Sequence, residues 1–60
     1  MTISANGYKV NNVPTYAMNY EYIVARECDD AMWFWGAYHT MKQADEVASE
    51  ICGIIIPLNK

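Results

Sequence analysis

The stretch that decides the fold is residues 20–39, Tyr20-Glu21-Tyr22-Ile23-Val24-Ala25-Arg26-Glu27-Cys28-Asp29-Asp30-Ala31-Met32-Trp33-Phe34-Trp35-Gly36-Ala37-Tyr38-His39. Its β-branched and aromatic residues predict two strands, at residues 20–27 and 32–39. Asp29-Asp30 lies between them and predicts a tight turn, because short polar side chains of this kind favour turn conformations. We therefore expect an antiparallel hairpin at the centre of the fold.

A helix is predicted directly after this hairpin, at about residues 40–52. Thr40 followed three residues later by Gln43 matches a capping box at the helix N-terminus. Gly53 suits the position that ends a helix. Apolar residues recur at three- and four-residue spacing and predict one apolar stripe, formed by Met41, Ala44, Val47, Ala48 and Ile51.

The two ends of the chain complete the predicted sheet. Ile54-Ile55-Ile56 reads as a short buried strand that ends at Pro57. Asn6-Gly7 is a strong signal for a two-residue hairpin turn, since both residues accept positive φ, and it predicts a small hairpin at residues 3–10. A loop should follow at residues 11–15. The expected fold class is α+β, a small antiparallel sheet with one helix on one face and a ββαβ core, with the N-terminal hairpin added.

Length and composition limit the class of protein. The chain has 60 residues, of which 53% are apolar and 13% aromatic, so we expect one small folded domain over residues 1–60 rather than a disordered segment. The net charge of −3 leaves no basic surface for direct nucleic-acid binding. No apolar stretch approaches the roughly 20 residues of a membrane span, and no secretion signal is visible. We therefore expect a cytoplasmic protein without membrane contact.

The single helix can cover only one face of the predicted sheet. With Glu27 opposite Met32 across the turn, Val24 would pair with Trp35, whereas a three-residue turn would shift the register by one. In the first register the helix would pack on the face that carries Ile23, Ala25, Met32, Phe34, Gly36 and Tyr38. The other face, named here the predicted aromatic face, would carry Tyr20, Tyr22, Val24, Arg26, Trp33, Trp35, Ala37 and His39.

We expect another segment or another molecule to cover the predicted aromatic face, because exposed apolar patches of this kind usually mark contact sites. One alternative is the N-terminal segment, through Ile3, Tyr8, Val10, Val13 and Tyr16. The other is a second copy of the chain, giving a homodimer, or a different protein. In that case the partner-binding residues would be Trp33, Trp35, Tyr20, Tyr22 and Arg26, whose guanidinium can stack beside an indole.

The acidic side chains form a second candidate partner-binding surface. Asp45, Glu46 and Glu50 share the solvent side of the predicted helix, and Asp29 and Asp30 lie at the hairpin turn. One interpretation is a solvated face that keeps an apolar protein soluble. The other is a row of carboxylates that meets a basic groove in a nucleic-acid-binding complex, because complementary charge steers association.

The residue pattern offers no catalytic, metal or cofactor site. Cys28 and His39 would lie at opposite ends of the hairpin, about eight residues apart at roughly 3.3 Å each, too far to act as nucleophile and base. With Cys52 they also lack the spacing of zinc ligands, and no glycine-rich phosphate loop is present. We interpret Cys28 and Cys52 as two buried thiols, with a disulfide as the alternative. We expect no enzyme and no cofactor.

The small acidic chain, with strands at 20–27 and 32–39 and a helix bearing Asp45, Glu46 and Glu50, resembles short phage-encoded inhibitors of host systems, such as anti-CRISPR proteins. The resemblance is architectural, covers the whole chain and assigns no role to an individual residue. It implies a stoichiometric inhibitor that occupies a nucleic-acid or partner site on a host complex. The alternatives are a structural homo-oligomer, such as a virion or assembly component, and a regulatory subunit joined through the aromatic face.

Overall fold

The computed structural model describes residues 1–58, which form a five-stranded sheet with one α-helix packed against it. The strand order is β1-β2-β4-β3-β5, in which β2 runs parallel to β4 and the other neighbours are antiparallel. The predicted α+β class is confirmed, with one parallel pair in an otherwise antiparallel sheet. In chain order the elements are β1 (Ile3–Ala5), β2 (Tyr8–Asn11), a 3₁₀ helix (Thr15–Asn19), β3 (Tyr22–Cys28), β4 (Ala31–Tyr38), α1 (Met41–Ile51) and β5 (Ile54–Pro57).

Both predicted two-residue turns are present, and each has positive φ at its two central residues. The φ angles are 52° at Asn6 and 81° at Gly7, and 52° at Asp29 and 64° at Asp30. This is the pattern of a type I′ turn, whose twist matches that of the strands it joins. The turns therefore account for the N-terminal hairpin of β1 and β2 and for the central hairpin of β3 and β4.

The pairing of β3 with β4 departs from the predicted register halfway along the hairpin. Near the turn Glu27 pairs with Met32, as predicted, but a β-bulge then sets Val24 opposite Gly36 rather than Trp35. Trp35 is the extra residue of β4 that the bulge accommodates. Every pair beyond the bulge is therefore moved by one residue, which changes the side chains that share a face.

The helix covers a different set of β3 residues from the one predicted. Gly36 and Tyr38 do lie on the helix side, where a Cβ on Gly36 would be only 2.5 Å from the Tyr38 hydroxyl oxygen. Because of the bulge, however, β3 presents Tyr22 and Val24 to α1 instead of Ile23 and Ala25. The predicted face assignment was wrong for β3. The core cluster on this side contains Val24, Ala44 and Ala48, packed against Tyr22, Tyr38, Val47, Ile51 and Ile55.

The N-terminal segment covers the opposite face of the sheet. Ile23 and Ile56 are fully buried there in one cluster with Val13 and with Ala17 of the 3₁₀ helix. The edge of this layer is aromatic, because the ring of Tyr16 lies edge-on to that of Phe34, with centroids 6.4 Å apart. One alternative was that the N-terminal segment covers the predicted aromatic face. The segment does cover one face of the sheet, but the residue buried beneath it is Ile23 and not the tryptophans.

The predicted limits of the elements needed small corrections. β3 begins at Tyr22 rather than Tyr20. Thr15, expected in a loop, is the first residue of the 3₁₀ helix, for which no element was predicted. Met41, expected in the apolar stripe of the helix, is 51% exposed. Directly after the edge strand β5, the Leu58 N–H donates to the Glu21 carbonyl oxygen at 2.9 Å. Because N–H groups alternate along a strand, the nitrogen of the preceding residue, Pro57, faces away from β3, and the sheet loses no hydrogen bond through the missing proline N–H.

The helix begins as predicted and ends at a strained residue. The Thr40 hydroxyl oxygen accepts the N–H of Gln43 at 3.2 Å. At the other end Cys52 adopts the left-handed conformation, with φ 56°. Gly53 has no left-handed φ but is required for a different reason, since a Cβ there would lie 2.7 Å from the carbonyl oxygen of Ala25.

Replacing Cys52 by glycine is expected to raise the free energy of unfolding by about 1 kcal/mol, because a left-handed backbone strains residues that carry a Cβ. The Cys52 side chain is exposed, so its removal loses little packing. Urea unfolding measured by circular dichroism checks the change, and Cys52→Ala, which keeps the Cβ, is the matched control. A glycine variant no more stable than the alanine variant would contradict this account of the helix end.

Candidate functional site

The turn end of the central hairpin extends beyond the helix and β5. β5 pairs with β3 only from Tyr22 to Ala25, and the chain passes from α1 into β5 at Gly53, beside the Ala25 carbonyl. In the part of the chain that the structure describes, the residues packed against the buried face of α1 include none from 26–33. We call residues 26–35 the hairpin tip, since they form the turn and the strand segments on either side of it.

A hollow of about 360 Å³ lies at the hairpin tip. It contains two large exposed side chains of the central hairpin, because Trp33 is 39% exposed and Trp35 is 50% exposed. The indole of Trp33 is held in place by a hydrogen bond from its Nε1 to the Cys28 carbonyl oxygen at 3.1 Å. We call this the indole hollow; its lining residues are Arg26, Cys28, Asp29, Trp33, Phe34 and Trp35.

Carboxylates outnumber cations at the hairpin tip. The hairpin tip contains one arginine, Arg26, and three carboxylates, Glu27, Asp29 and Asp30, which gives a net charge of −2. All four side chains are exposed. Asp29 lies in the lining itself, and its backbone conformation is set by the type I′ turn. The hollow therefore combines two aromatic surfaces with one carboxylate, that of Asp29, an arrangement suited to a ligand that is both flat and positively charged.

Four of the predicted partner-binding residues come together in this hollow, namely Trp33, Trp35, Arg26 and Asp29. Asp30 is next to them in the turn. Sequence reasoning did not single out Cys28 and Phe34, which also line the hollow. For Phe34 the signal was its place between Trp33 and Trp35, but the strict alternation assumed for β4 assigned it to the opposite face. Cys28 follows Arg26 by two residues on β3, which places both on one face of the strand.

The two predicted tyrosines lie away from the hollow. Tyr22 is half-buried against α1, and Tyr20 stacks on His39 at the far end of the hairpin, with ring centroids 4.3 Å apart. The prediction of one continuous aromatic face was therefore wrong, because Tyr22 packs with α1 whereas Tyr20 packs with Tyr16 of the N-terminal segment, with ring centroids 6.3 Å apart.

The acidic side chains of the helix are where the pattern placed them. Asp45, Glu46 and Glu50 are all exposed on α1, and none of them belongs to the cluster that packs the helix on the sheet. No basic residue lies in the last turn of α1. These three carboxylates, the acidic helix face, form a second surface that does not share an element with the indole hollow.

Both cysteines are free and exposed, so the interpretation as two buried thiols was wrong and the alternative disulfide is not formed. The two thiols lie apart because α1 ends at the level of Ala25, whereas Cys28 lies three residues further along β3, about 10 Å away. Among residues 1–58, no group of three His, Cys, Asp or Glu side chains is arranged to hold a metal ion.

A second hollow, of about 300 Å³, lies between the N-terminal hairpin and the end of β5. Its lining carries no ionisable side chain and consists of Ile3, Ser4, Ala5, Asn6, Met18, Pro57 and Leu58.

No helix within residues 1–58 has the length and apolar character needed to cross a lipid bilayer. Comparisons of the chain with protein-family models, with curated proteins and with solved structures found no match.

Proposed function

We propose that this chain is a non-enzymatic binding protein that inhibits or modulates a larger basic complex, one that handles nucleic acid in the cytoplasm of a host cell. The observation that supports this most is the indole hollow, where two exposed tryptophans lie beyond the cover of both the helix and the N-terminal segment. Tryptophan is among the residue types most enriched at the energetic centres of protein interfaces.

The free energy that the exposed tryptophans do not contribute to folding favours a binding role. An indole can bury about 200 Å² of surface, so leaving roughly half of it in water forgoes about 2 kcal/mol per tryptophan at ~25 cal/mol per Å². A chain of 60 residues has little stability to spare. Two such residues in one hollow are therefore better explained by contact with a partner than by the stability of the isolated chain.

The acidic helix face supports the choice of a basic partner. Glu50 lies in the last turn of α1, where the helix dipole disfavours negative charge. Glu46 and Glu50 are four residues apart, a like-charge pair that destabilises a helix slightly. Stability alone would favour lysine at these positions. Together with the acidic hairpin tip, this face gives the chain two surfaces that complement positive charge.

Affinity capture tests the proposed function. The immobilised chain is exposed to a bacterial lysate, and retained proteins are identified by mass spectrometry and then purified for binding assays. We expect a basic protein that is retained by the wild-type chain and lost with the Trp33→Ala/Trp35→Ala double variant. A chain that is homo-oligomeric by native mass spectrometry, with quencher-shielded tryptophans and no tryptophan-dependent partner, would instead support the structural homo-oligomer.

Neutralising the acidic helix face is expected to weaken partner binding about tenfold at low salt, and less at high salt, because screened charges act mainly on association. The variant is Asp45→Asn/Glu46→Gln/Glu50→Gln, and the fold should survive because all three side chains are exposed. The matched control, Ser4→Lys/Thr15→Lys/Asn19→Lys, changes the net charge equally on other exposed positions. Unchanged affinity with a flat salt dependence would limit this face to a role in solubility.

A further inference from the structure

We infer that the indole hollow binds an arginine side chain of the partner. This inference rests on the proposed function and names the chemistry that its site recognises. The hollow, of about 360 Å³, contains two indoles, which offer flat surfaces on which a planar guanidinium can stack. One of them, Trp33, is already fixed by its hydrogen bond to the Cys28 carbonyl, so part of the binding surface is preorganised.

The carboxylates at the hairpin tip supply the complementary charge. Asp29 lines the hollow and Asp30 follows it in the turn, whereas Glu27 alternates with Arg26 and Cys28 and so points to the other face of β3. A carboxylate accepts two parallel hydrogen bonds from a guanidinium, a geometry that an ammonium group cannot reproduce. We therefore expect arginine to bind more tightly than lysine, and both to bind more tightly than an uncharged side chain of the same shape.

Two features make an anionic ligand a poorer fit for the same hollow. Arg26 is the single cation in the lining and is matched there by the Asp29 carboxylate, so the lining carries no net positive charge to attract an anion. The N–H of Trp33, which could have been a second donor for an anion, already donates to the Cys28 carbonyl. Arg26 should consequently oppose the bound guanidinium by like-charge repulsion, and this gives the inference a distinctive test.

The experiment is a nuclear magnetic resonance titration of the ¹⁵N-labelled full chain with three capped tripeptides, Gly-Arg-Gly, Gly-Lys-Gly and Gly-citrulline-Gly. The indole N–H resonances of Trp33 and Trp35 report binding and are assigned with the Trp33→Phe and Trp35→Phe variants. We expect the arginine peptide to shift both resonances along a saturable curve. The citrulline peptide, which has nearly the same shape without the charge, should bind about tenfold more weakly.

Variants of the lining separate the charges that act on the peptide. Asp29→Asn should weaken arginine binding several-fold, and the fold should be retained because asparagine tolerates the left-handed φ of this turn position. Arg26→Gln should tighten arginine binding, since it removes the repulsion. Glu21→Gln, an exposed carboxylate at the opposite end of the hairpin, is the control and should leave binding unchanged.

Three results would overturn the inference. One is the absence of any shift in the indole resonances up to the solubility limit of the arginine peptide. Another is equal binding of the arginine and citrulline peptides, which would make the hollow simply apolar. The third is loss of arginine binding in Arg26→Gln, which would show that Arg26 contributes to the binding surface instead of repelling the ligand. A tryptophan-dependent partner without arginine binding would leave the proposed function standing, whereas arginine binding without such a partner would refute only the proposed function.

Discussion

Replacing Trp35 by alanine is expected to weaken binding to the partner at least about thirtyfold while the fold is retained. Truncating a central aromatic residue of an interface typically costs about 2 kcal/mol or more, which corresponds to that change in dissociation constant. Trp35 is half exposed and is the extra residue of the β-bulge, so its removal takes little from the core. Isothermal titration calorimetry with the purified partner measures the affinity, and urea unfolding checks the fold.

Tyr8→Ala is the matched control for this prediction. Tyr8 is another exposed aromatic residue, at 44%, but it lies on β2 of the N-terminal hairpin and does not line the indole hollow. We expect its replacement to leave the affinity unchanged. If the Trp35 and Tyr8 variants weakened binding equally, or if neither did, the hairpin tip could not be the main contact.

Replacing Ile23 by alanine is expected to lower the free energy of unfolding by about 3 kcal/mol, because deletion of a fully buried aliphatic side chain leaves a cavity. Ile23 lies in the central part of the sheet, paired with Ala37 on one side and Ile56 on the other, and is covered by the N-terminal segment. A domain of this length has a total stability of roughly 3–9 kcal/mol, so much of the variant should be unfolded at 37 °C. Urea unfolding at 10 °C followed by circular dichroism measures the difference.

Ile54→Ala provides the comparison for the core prediction. Ile54 is an isoleucine of the edge strand and is only half-buried, so its truncation should cost less, about 1 kcal/mol. Equal losses for the two variants would contradict the burial of Ile23 beneath the N-terminal segment. A small loss for Ile23→Ala alone would mean that this layer does not close over the sheet.

The elements with strong local signals could be predicted from the sequence. Asn6-Gly7 specifies its own turn through backbone conformations that these residues favour, and Thr40 with Gln43 marks the start of the helix. The parallel pairing of β2 with β4 has no such signal, because it joins residues more than 20 positions apart and is set by packing of the whole chain. The left-handed Cys52 was equally unpredictable, since the residue type argues against that conformation.

The choice of sheet face could not be predicted because it depends on the β-bulge. In a regular strand, residues two positions apart share a face, and this rule placed Ile23 and Ala25 with Gly36. The extra residue, Trp35, breaks the alternation and brings Val24 opposite Gly36 instead. The prediction that Arg26, Asp29 and Trp33 share a surface was not affected, because these residues lie between the bulge and the turn, where the register is the predicted one.

Hydroxyl-radical footprinting of the free chain and of its complex with the captured partner tests most directly whether the hairpin tip is the contact surface. In the free chain Trp33 and Trp35 are exposed and should oxidise readily, as should Tyr8. In the complex we expect both tryptophans to be protected several-fold, while oxidation of Tyr8 stays the same. Equal oxidation of the two tryptophans in the free and bound chain, with protection elsewhere, would contradict the proposal that this protein binds through the indole hollow.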